Sequence, residues 1–243
     1  MKILILVIYS KNENYDKMLE IQRKYVHNYE NVDVYFMQSS YEYSEDIHFE
    51  NDMAYIKNDE KFETILYKTL ITMKTLRDMK KEYDFTIRTN ISTIIDIPKL
   101  QELLSLFTYK EYLYAGDLAG IWHNAKLFWF ALGTCIILSK TLSNKMIDSI
   151  DNFNHELPDD VSIGIFITEN YPESYDNNLA LKNYVFYSSR LPQTMSVSKL
   201  EDVRQYFNNN KPNYVCYRNS TRCRYEDTKI MEYICNDIIL NNK

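Results

Sequence analysis

The sequence predicts an α/β fold, a single domain with a mostly parallel central sheet. A short, continuously apolar run opens the chain, and helix-like and strand-like segments then alternate along it without a repeat, linker or low-complexity segment. Continuous apolar runs are typical of parallel strands, because helices cover both faces of such a sheet. The 243 residues, 45% hydrophobic and 26% charged, are enough to bury a sizeable core.

The first half of the chain supplies a strand–helix–strand beginning. The run Ile3–Ile8 predicts a central strand, and apolar residues at helical spacing within residues 12–29 predict the helix that follows it. A second strand is predicted over Val32–Gln38. Residues 41–59 mix polar and aromatic side chains without a period and predict a loop. Helical spacing over Lys61–Tyr83 predicts a long amphipathic helix.

The rest of the chain continues the alternation. A strand is predicted over Phe85–Ile87, and a helix is predicted to follow with Pro98 in its first turn. The remaining predictions are a strand over Tyr112–Gly120 that runs into a glycine-bearing loop, a strand over Thr134–Ser139, a helix over Lys140–Phe153, a helix beginning near Pro158, short strands from Tyr184 and a final helix over Glu226–Leu240.

Composition and short patterns exclude several classes of protein. The net charge is -6 and no basic block occurs, so a nucleic-acid partner is not expected. Ile3–Ile8 is far shorter than the roughly 20 residues of a membrane span and lacks the flanks of a signal peptide. A cytoplasmic protein without a transmembrane segment is therefore expected. The turn after Ile8 has no G-x-G-x-x-G pattern, which disfavours a dinucleotide-binding dehydrogenase. Four cysteines without metal-ligand spacing predict reduced thiols, with a Cys216–Cys223 bridge as the alternative.

Polar residues follow several predicted strands at the point where each ends. Tyr9 and Ser10 follow the first strand, and Arg88, Thr89 and Asn90 follow the strand that begins at Phe85. Ligands of parallel sheets bind beyond the carboxyl ends of the strands. These residues and the neighbourhood of Gly133 are therefore predicted to lie on one rim.

Three stretches, taken together, resemble the GT-A glycosyltransferases of the β-1,3-galactosyltransferase and Fringe-like group. "FETILYKTLITMKTL" resembles a helix of that family, "YDFTIRTNISTIIDIPKL" resembles its strand followed by D-x-D, and "FALGTCIILSKTLSNKMIDSIDNFNHELPDDVSIG" resembles its strand, helix and "E-D-V-x-x-G". The resemblance extends over Phe62–Gly164. It implies a GT-A fold for the single domain 1–243, with a nucleotide-binding half at about 1–110 and an acceptor and catalytic half at about 111–243.

The resemblance also implies the reaction. An inverting enzyme of this kind transfers a sugar from a nucleotide-diphosphate sugar, here a UDP-sugar, to a hydroxyl acceptor on a glycan, a protein or a lipid-linked substrate. Asp160 stands where the family has the aspartate of "E-D-V", so the resemblance makes it the general base, with Asp159 orienting the acceptor or Asp160. The alternative is that both aspartates only satisfy free N–H groups at a helix start.

The triplet Arg88-Thr89-Asn90 stands where the resembled family has the D-x-D that holds Mn²⁺ or Mg²⁺. Such cations prefer carboxylate oxygens, so Asn90 is the only weak candidate ligand. Either Arg88 contacts the diphosphate or packs against an acid and replaces the metal's charge, or the site is degenerate. The family's C-terminal metal-binding histidine is also missing, so no required cofactor is expected, with Mn²⁺ or Mg²⁺ as the alternative. Four arginines could clamp the diphosphate or be solvated: Arg190, Arg218, Arg222 and Arg224.

Further residues are candidates for the donor and acceptor sides. The resemblance puts Tyr9 and Ser10 near the nucleotide base and ribose, Lys74 near the nucleotide, and Gly133 with Thr134 under the donor sugar. The alternatives are a simple strand end for Tyr9 and Ser10, an exposed helix face for Lys74 and a β-bulge for Gly133. The other candidates are Asp84, which meets the nucleotide base or caps the preceding helix, Trp122 and His123 on the acceptor side, and Trp129, for which core packing is favoured over an acceptor role.

Two other functions remain open at this point. One is a catalytically inactive GT-A-like domain that binds a glycan or a protein partner, which the altered D-x-D motivates. The other is a retaining or metal-independent transferase of another GT-A lineage. The hypothesis of an inverting transferase requires Asp160 to lie close to Arg88 and Gly133.

Overall fold

The structure is a computed structural model that describes residues 1–108, 111–172, 174, 179–180, 184–188, 198–210, 213–221 and 223–241. Its strands are β1 Ile3–Ile8, β2 Val32–Ser39, β3 Ile47–Glu50, β4 Met53–Ile56, β5 Phe85–Asn90, β6 Thr93–Ile95, β7 Tyr114–His123, β8 Lys126–Ser139, β9 Leu179–Ala180, β10 Val185–Tyr187 and β11 Cys216–Arg218. Its α-helices are α1 Glu13–Val26, α2 Ile65–Asp78, α3 Ile97–Ser105, α4 Lys140–Asp148, α5 Asp159–Asn170, α6 Leu200–Asn210 and α7 Arg224–Tyr233. Phe62–Thr64 and Ile150–Asn152 are 3₁₀ turns, and Ile234–Leu240 is a π-helical segment.

The chain divides into two compact units that interleave along the sequence. The first contains Met1–Ser10, Asn31–Asn90 and Ser105–Leu181, and the second contains Lys11–Glu30, Ile91–Leu104 and Lys182–Lys243. The division into functional halves near residue 110 does not follow these boundaries and stays a prediction.

The first unit is built on a sheet whose described strands run in the order β3-β4-β2-β1-β5-β8-β7-β9. The central strands β4, β2, β1 and β5 are parallel, whereas β8 is antiparallel to both β5 and β7. Helices α2, α4 and α5 supply buried side chains that pack with those of β8 in one apolar core. The predicted α/β fold with a mostly parallel sheet is confirmed.

The second unit contains a small sheet in the order β10-β11-β6. Phe186, Phe207 and Tyr217 pack with tilted rings in its core. All four cysteines of the chain are free thiols, so the alternative of a Cys216–Cys223 bridge is not realised. Among the described residues, every helix is too short or too polar to cross a lipid bilayer.

Several predicted boundaries are wrong, each for a local reason. The predicted loop over residues 41–59 contains the hairpin of β3 and β4, and β3 is a half-exposed edge strand whose mixed residues hide a strand period. The predicted glycine-bearing loop does not form, because β7 continues through both of its glycines to His123. The strand from Phe85 extends to Asn90, so the triplet lies in its last residues. Helix α6 lies where only short strands were expected.

Strands β7 and β8 extend beyond the rest of the sheet. Strand β5 pairs with β8 only as far as the partners Thr89 and Cys135. The residues of β8 before Cys135 pair only with β7, so Leu118–His123 and Lys126–Ala131 form a two-stranded ribbon past the carboxyl end of β5. Its tip has Asn124 at φ 48 and Ala125 at φ 59. Positive φ at both residues is the geometry of the two-residue hairpin turn that matches strand twist.

Candidate functional site

The carboxyl edge of the sheet brings together the predicted rim. Ile8 is level with Met37 of β2 and with Asn90 of β5, so Tyr9 and Ser10 emerge beside the end of β5. Because β8 runs antiparallel and pairs Cys135 with Thr89, Thr134 and Gly133 arrive at the same edge. The strand register therefore places Tyr9 and Ser10, the end of β5 and Gly133 side by side at one edge, as the rim prediction requires.

The backbone of Gly133 is the centre of one set of contacts at this edge. Its carbonyl oxygen accepts hydrogen bonds from Arg88 Nη1 at 2.6 Å and from Asn90 Nδ2 at 2.7 Å. Its N–H donates to Asp160 Oδ2 at 3.0 Å. Arg88 Nη2 lies 2.6 Å from Asp159 Oδ2. We call Arg88, Asn90, Gly133, Asp159 and Asp160 the Arg88 cluster.

Glycine at position 133 is required by the close approach of Arg88. A Cβ built there would clash with Arg88 Nη1, and the guanidinium carbon would lie only 3.2 Å away. The strand is also irregular here, because the pairing of β7 and β8 shifts register between Gly116 and Leu118. Gly133 therefore allows Arg88 to approach the backbone closely and also lies in an irregular part of the strand.

The Arg88–Asp159 pair is buried on both sides. The side chains of Arg88 and Asp159 are 3% and 4% exposed. Burial raises the pKa of Asp159, the Arg88 guanidinium opposes that rise, and the neighbouring Asp160 carboxylate adds to it. Removing one partner of such a pair leaves an uncompensated buried charge, so the pair is a strong constraint on the local geometry.

Helix α5 holds Asp160 in place. Both aspartates lie in its first turn, after Pro158 at the N-cap, where acidic side chains favour the helix dipole. Asp160 Oδ1 accepts from the Val161 N–H at 2.9 Å. Asp160 therefore satisfies a free N–H at the start of the helix and contacts Gly133 at the same time. Gly164 lets α5 pack against β8, since a Cβ there would lie 2.9 Å from the Trp129 carbonyl oxygen.

A second polar group at the carboxyl edge is built around Glu60. Its Oε1 accepts from Lys68 Nζ at 2.6 Å and from Ser10 Oγ at 2.9 Å, and its Oε2 accepts from the Ser39 N–H at 3.1 Å. The Lys68 side chain is fully buried. We call Ser10, Ser39, Glu60 and Lys68 the Glu60 cluster. It fixes the residues that follow β1 and end β2.

Glu60 and Lys68 are not among the residues that the sequence patterns predict for the site. Lys68 looks like an ordinary polar position of an amphipathic helix, although Ile65 and Thr72 lie on the same side of α2, at i−3 and i+4. That spacing was the available signal for a buried lysine. A buried lysine requires a nearby carboxylate, and Glu60 supplies it.

Replacing Glu60 with glutamine is expected to lower stability at neutral pH and to lose that effect in acid. Burial acts to raise the pKa of Glu60, but the hydrogen bond and charge of Lys68 outweigh it, and the net pKa is lowered. A carboxylate with a lowered pKa stabilises the fold above its ordinary pKa, and the contribution disappears as pH falls through the lowered value. Melting temperatures of wild type and Glu60→Gln across pH 3 to 7 test this. A difference in melting temperature that stays the same in acid would contradict this expectation.

Two predicted donor residues do not join the rim. Asp84 lies at the opposite, amino edge of the sheet, where its Oδ2 accepts from the Lys2 N–H at 2.6 Å. It does not cap the preceding helix α2, whose C-cap is Met79, although its carbonyl oxygen accepts from the N–H of Lys140 at 2.9 Å. Its place before β5 explains the distance from the carboxyl edge. Lys74 lies on an outer face of α2 and pairs with Asp78 at 3.0 Å. The lysine of α2 that reaches the rim is Lys68.

The remaining candidates have varied surroundings. Tyr9 is buried, and its N–H donates to the Met37 carbonyl at 3.1 Å. Thr89 Oγ1 donates to the Thr134 carbonyl oxygen at 2.7 Å. The expectation that Trp129 packs in the core is wrong, since it is 38% exposed and lies on the ribbon.

The arginines of the C-terminal part have other described contacts. In the second unit, Arg224 Nη1 pairs with Asp227 at 3.1 Å, and the Arg218 guanidinium lies 5.5 Å from the centre of the Tyr187 ring. Arg190 and Arg222 lie outside the described residues. A diphosphate clamp from this region stays a prediction.

The donor groups at the triplet do not fit a divalent cation. A guanidinium stands at the first position, and the amide N–H of Asn90 is directed to the Gly133 carbonyl. Within the described part of the chain, no group of three or more His, Cys, Asp or Glu side chains could hold a metal ion. Hard cations need several oxygen ligands, which these side chains do not converge to supply.

The sheet order and the covering helices form a Rossmann-like α/β fold. No protein-family model matches the chain, and no curated protein sequence matches it. Among solved structures it is similar to a glycosyltransferase involved in the glycosylation of the major capsid of PBCV-1, with a TM-score of 0.52. The alignment covers 96% of this chain and 99% of that chain at 10% sequence identity. At that identity the similarity shows the fold.

Proposed function

We propose that the protein is an inverting glycosyltransferase that moves a sugar from a nucleotide-diphosphate sugar, a UDP-sugar, to a hydroxyl acceptor on a glycan, a protein or a lipid-linked substrate. The observation that carries the proposal is the Asp160 carboxylate bonded to the Gly133 N–H at the carboxyl edge of the sheet. Ligands of such sheets bind at this edge. The glycosyltransferase fold supports the same class of reaction.

Asp160 acts as the general base in this proposal. The acceptor hydroxyl oxygen attacks C1 of the donor sugar from the face opposite the diphosphate, and its proton passes to the carboxylate. The C1–oxygen bond to the diphosphate breaks, and the nucleoside diphosphate leaves with the bonding electrons. The Gly133 N–H holds one carboxylate oxygen in a fixed direction, and a positioned base contributes about 10²–10⁴-fold to such a step.

Arg88 has a positioning role here. It is 2% exposed and paired with Asp159, which supports the interpretation that it packs against an acid in the place of a metal. Arg88 bonds the carbonyl oxygen of Gly133, and the N–H of the same residue holds Asp160. The binding of the donor is then independent of a divalent cation.

Incubation with a panel of UDP-, GDP- and dTDP-sugars tests the function. We expect at least one donor to raise the melting temperature, because a ligand that binds only the folded state stabilises it. That donor should also release its nucleoside diphosphate when an acceptor is added. A panel that neither stabilises the protein nor releases nucleotide would overturn the proposal.

Donor binding is expected to survive removal of divalent cations. The reason is that a guanidinium stands where a metal ligand would be needed. Isothermal titration of the stabilising nucleotide sugar with and without EDTA should give dissociation constants within about twofold. A tenfold or larger loss of affinity in EDTA that added Mn²⁺ restores would reject this part of the proposal.

A glycan-binding domain without transferase activity is the second candidate. The buried Arg88–Asp159 pair favours it, because the guanidinium is paired with a carboxylate instead of being presented to a diphosphate. Such a domain would bind oligosaccharides and give no shift with any nucleotide sugar. If transfer is observed, the anomeric configuration of the product separates the inverting from the retaining mechanism.

A further inference from the structure

One face of the β7–β8 ribbon is apolar and open to solvent. Cross-strand pairing sets Trp122 opposite Leu127 and Gly120 opposite Trp129, so all four residues point to the same side. Trp122 is 72% exposed, Leu127 40% and Trp129 38%. We call Gly120, Trp122, Leu127 and Trp129 the tryptophan face.

The opposite face of the ribbon packs against the rest of the first unit. Phe128 and Phe130 are buried there, and Phe130 meets Gly164 of α5. On the tryptophan side, Leu118 and Ala131 at the base of the ribbon also pack in the core. The tryptophans lie further along the ribbon and are exposed, so packing within the first unit does not explain them. Both tryptophans of the chain lie on the tryptophan face. Two large aromatic residues and a leucine together on an exposed surface usually mark a binding site.

Gly120 shapes this surface. Two carbons of the Trp129 indole would lie 3.4 and 3.5 Å from a Cβ at Gly120, and a Leu127 methyl would lie 3.4 Å from it. The Trp129 indole therefore lies over Gly120, which has no side chain to block it. The result is a low, broad apolar platform.

The ribbon is continuous with the Arg88 cluster. Trp129 precedes Gly133 by four residues on the same strand, which is about 13 Å along β8. The ribbon extends past the carboxyl edge of the sheet, where the proposed donor site lies. A chain-like ligand whose reacting end lies near Asp160 could extend in the direction of the ribbon.

We propose that the tryptophan face binds the acceptor, and that the acceptor is a carbohydrate whose pyranose rings stack on the two indoles. An indole offers a flat apolar surface, and the C–H face of a pyranose is its complement. The four residues of the face carry no charge, which suits a neutral sugar. The identification of this ligand as the acceptor rests on the proposed transferase function.

The size and charge of the face disfavour other occupants. A stable protein–protein interface buries about 800 Å² on each partner, spread over some 20–30 residues. Three exposed apolar side chains fall well below that. Recognition of an anionic membrane uses clusters of about 4–8 Lys and Arg residues, whereas Lys126 is the one Lys or Arg of the ribbon.

Intrinsic tryptophan fluorescence tests the proposal directly, since both of the protein's fluorescent tryptophans are on the face. Titration with lactose, maltotriose and N,N′-diacetylchitobiose should give a saturable change in emission for at least one sugar. Trp122→Ala and Trp129→Ala each leave one reporter, and each should weaken that binding about tenfold. Trp122→Phe should retain most of it. No saturable change with any of the three sugars overturns the proposal.

Tyr225→Ala is the matched control, because Tyr225 is an aromatic residue that is 57% exposed on α7 of the second unit. It should leave sugar binding unchanged. Equal melting temperatures of wild type and variants show that folding is intact, as exposed positions predict. Loss of binding in Tyr225→Ala to the same extent as in Trp122→Ala would contradict a specific role for the face.

The kinetic outcome separates this inference from the proposed function. If the enzyme transfers sugar, Trp122→Ala should raise the acceptor KM about tenfold and leave the donor KM unchanged. Transfer with an unchanged acceptor KM in both tryptophan variants overturns the acceptor site and leaves the transferase standing. Saturable sugar binding without any nucleotide release overturns the transferase function, and with it the identification of the sugar as an acceptor. The tryptophan face would then still be a carbohydrate-binding site.

Discussion

Replacing Asp160 with asparagine is expected to lower turnover by about 10²–10⁴-fold and to leave donor affinity nearly unchanged. An amide cannot take the proton of the acceptor hydroxyl, although its oxygen can still accept the Gly133 N–H that Asp160 Oδ2 accepts in the wild type. Steady-state release of nucleoside diphosphate gives the turnover. The thermal shift produced by the donor gives the affinity in the same preparation.

Asp202→Asn is a suitable control for Asp160→Asn. Asp202 also lies in the first turn of a helix, and its Oδ2 accepts from the backbone N–H of Lys199 at 3.3 Å. It belongs to the second unit and has no proposed role in proton transfer, so turnover should stay within about twofold of the wild type. A loss below tenfold in Asp160→Asn would remove Asp160 from the role of base.

Replacing Arg88 with methionine is expected to destabilise the protein by about 3–5 kcal/mol. The change leaves the Asp159 carboxylate buried without its counter-charge and removes a donor from the Gly133 carbonyl. Burial raises the pKa of Asp159, and without Arg88 only the backbone N–H of Asp160 opposes that rise. A raised carboxyl pKa means that stability is lost as pH rises from the ordinary carboxyl pKa, about 4, towards the raised one, so the defect should be smallest in acid and larger at neutral pH.

The double variant Arg88→Met, Asp159→Leu separates a buried charge from lost packing. Removing both charges should recover most of the stability that Arg88→Met loses, since apolar pairs often replace buried ion pairs at little cost. Urea unfolding of the wild type, the single variant and the double variant measures this. Equal destabilisation of the single and the double variant would show that the charge of Asp159 is not the cause.

Much of the site was within reach of the sequence. Arg88, Asn90 and Gly133 follow or end apolar runs, and Asp159 with Asp160 precedes a helical pattern. Their meeting at one edge follows from the parallel order of the strands. The pairing of Arg88 with Asp159 did not follow, because either of the two aspartates or the diphosphate was a compatible partner for an arginine at a strand end.

Other features were hidden by local composition. Lys68 and Glu60 each look like surface residues, and only the packing of α2 against the sheet shows that the lysine is buried. Trp129 was expected in the core because large aromatic residues usually are. The pairing of β7 with β8 turned it to the open side instead, opposite Gly120.

The sequence by itself determined the central sheet and its helices. Apolar runs such as Ile3–Ile8 can be buried on both faces only in a parallel sheet that helices cover, and that restriction is local and periodic. The tertiary structure alone decided the Arg88–Asp159 pair, the Glu60 cluster and the orientation of the tryptophan face. Each depends on contacts between residues far apart in the chain, where charge and shape select one partner among several that the sequence allows.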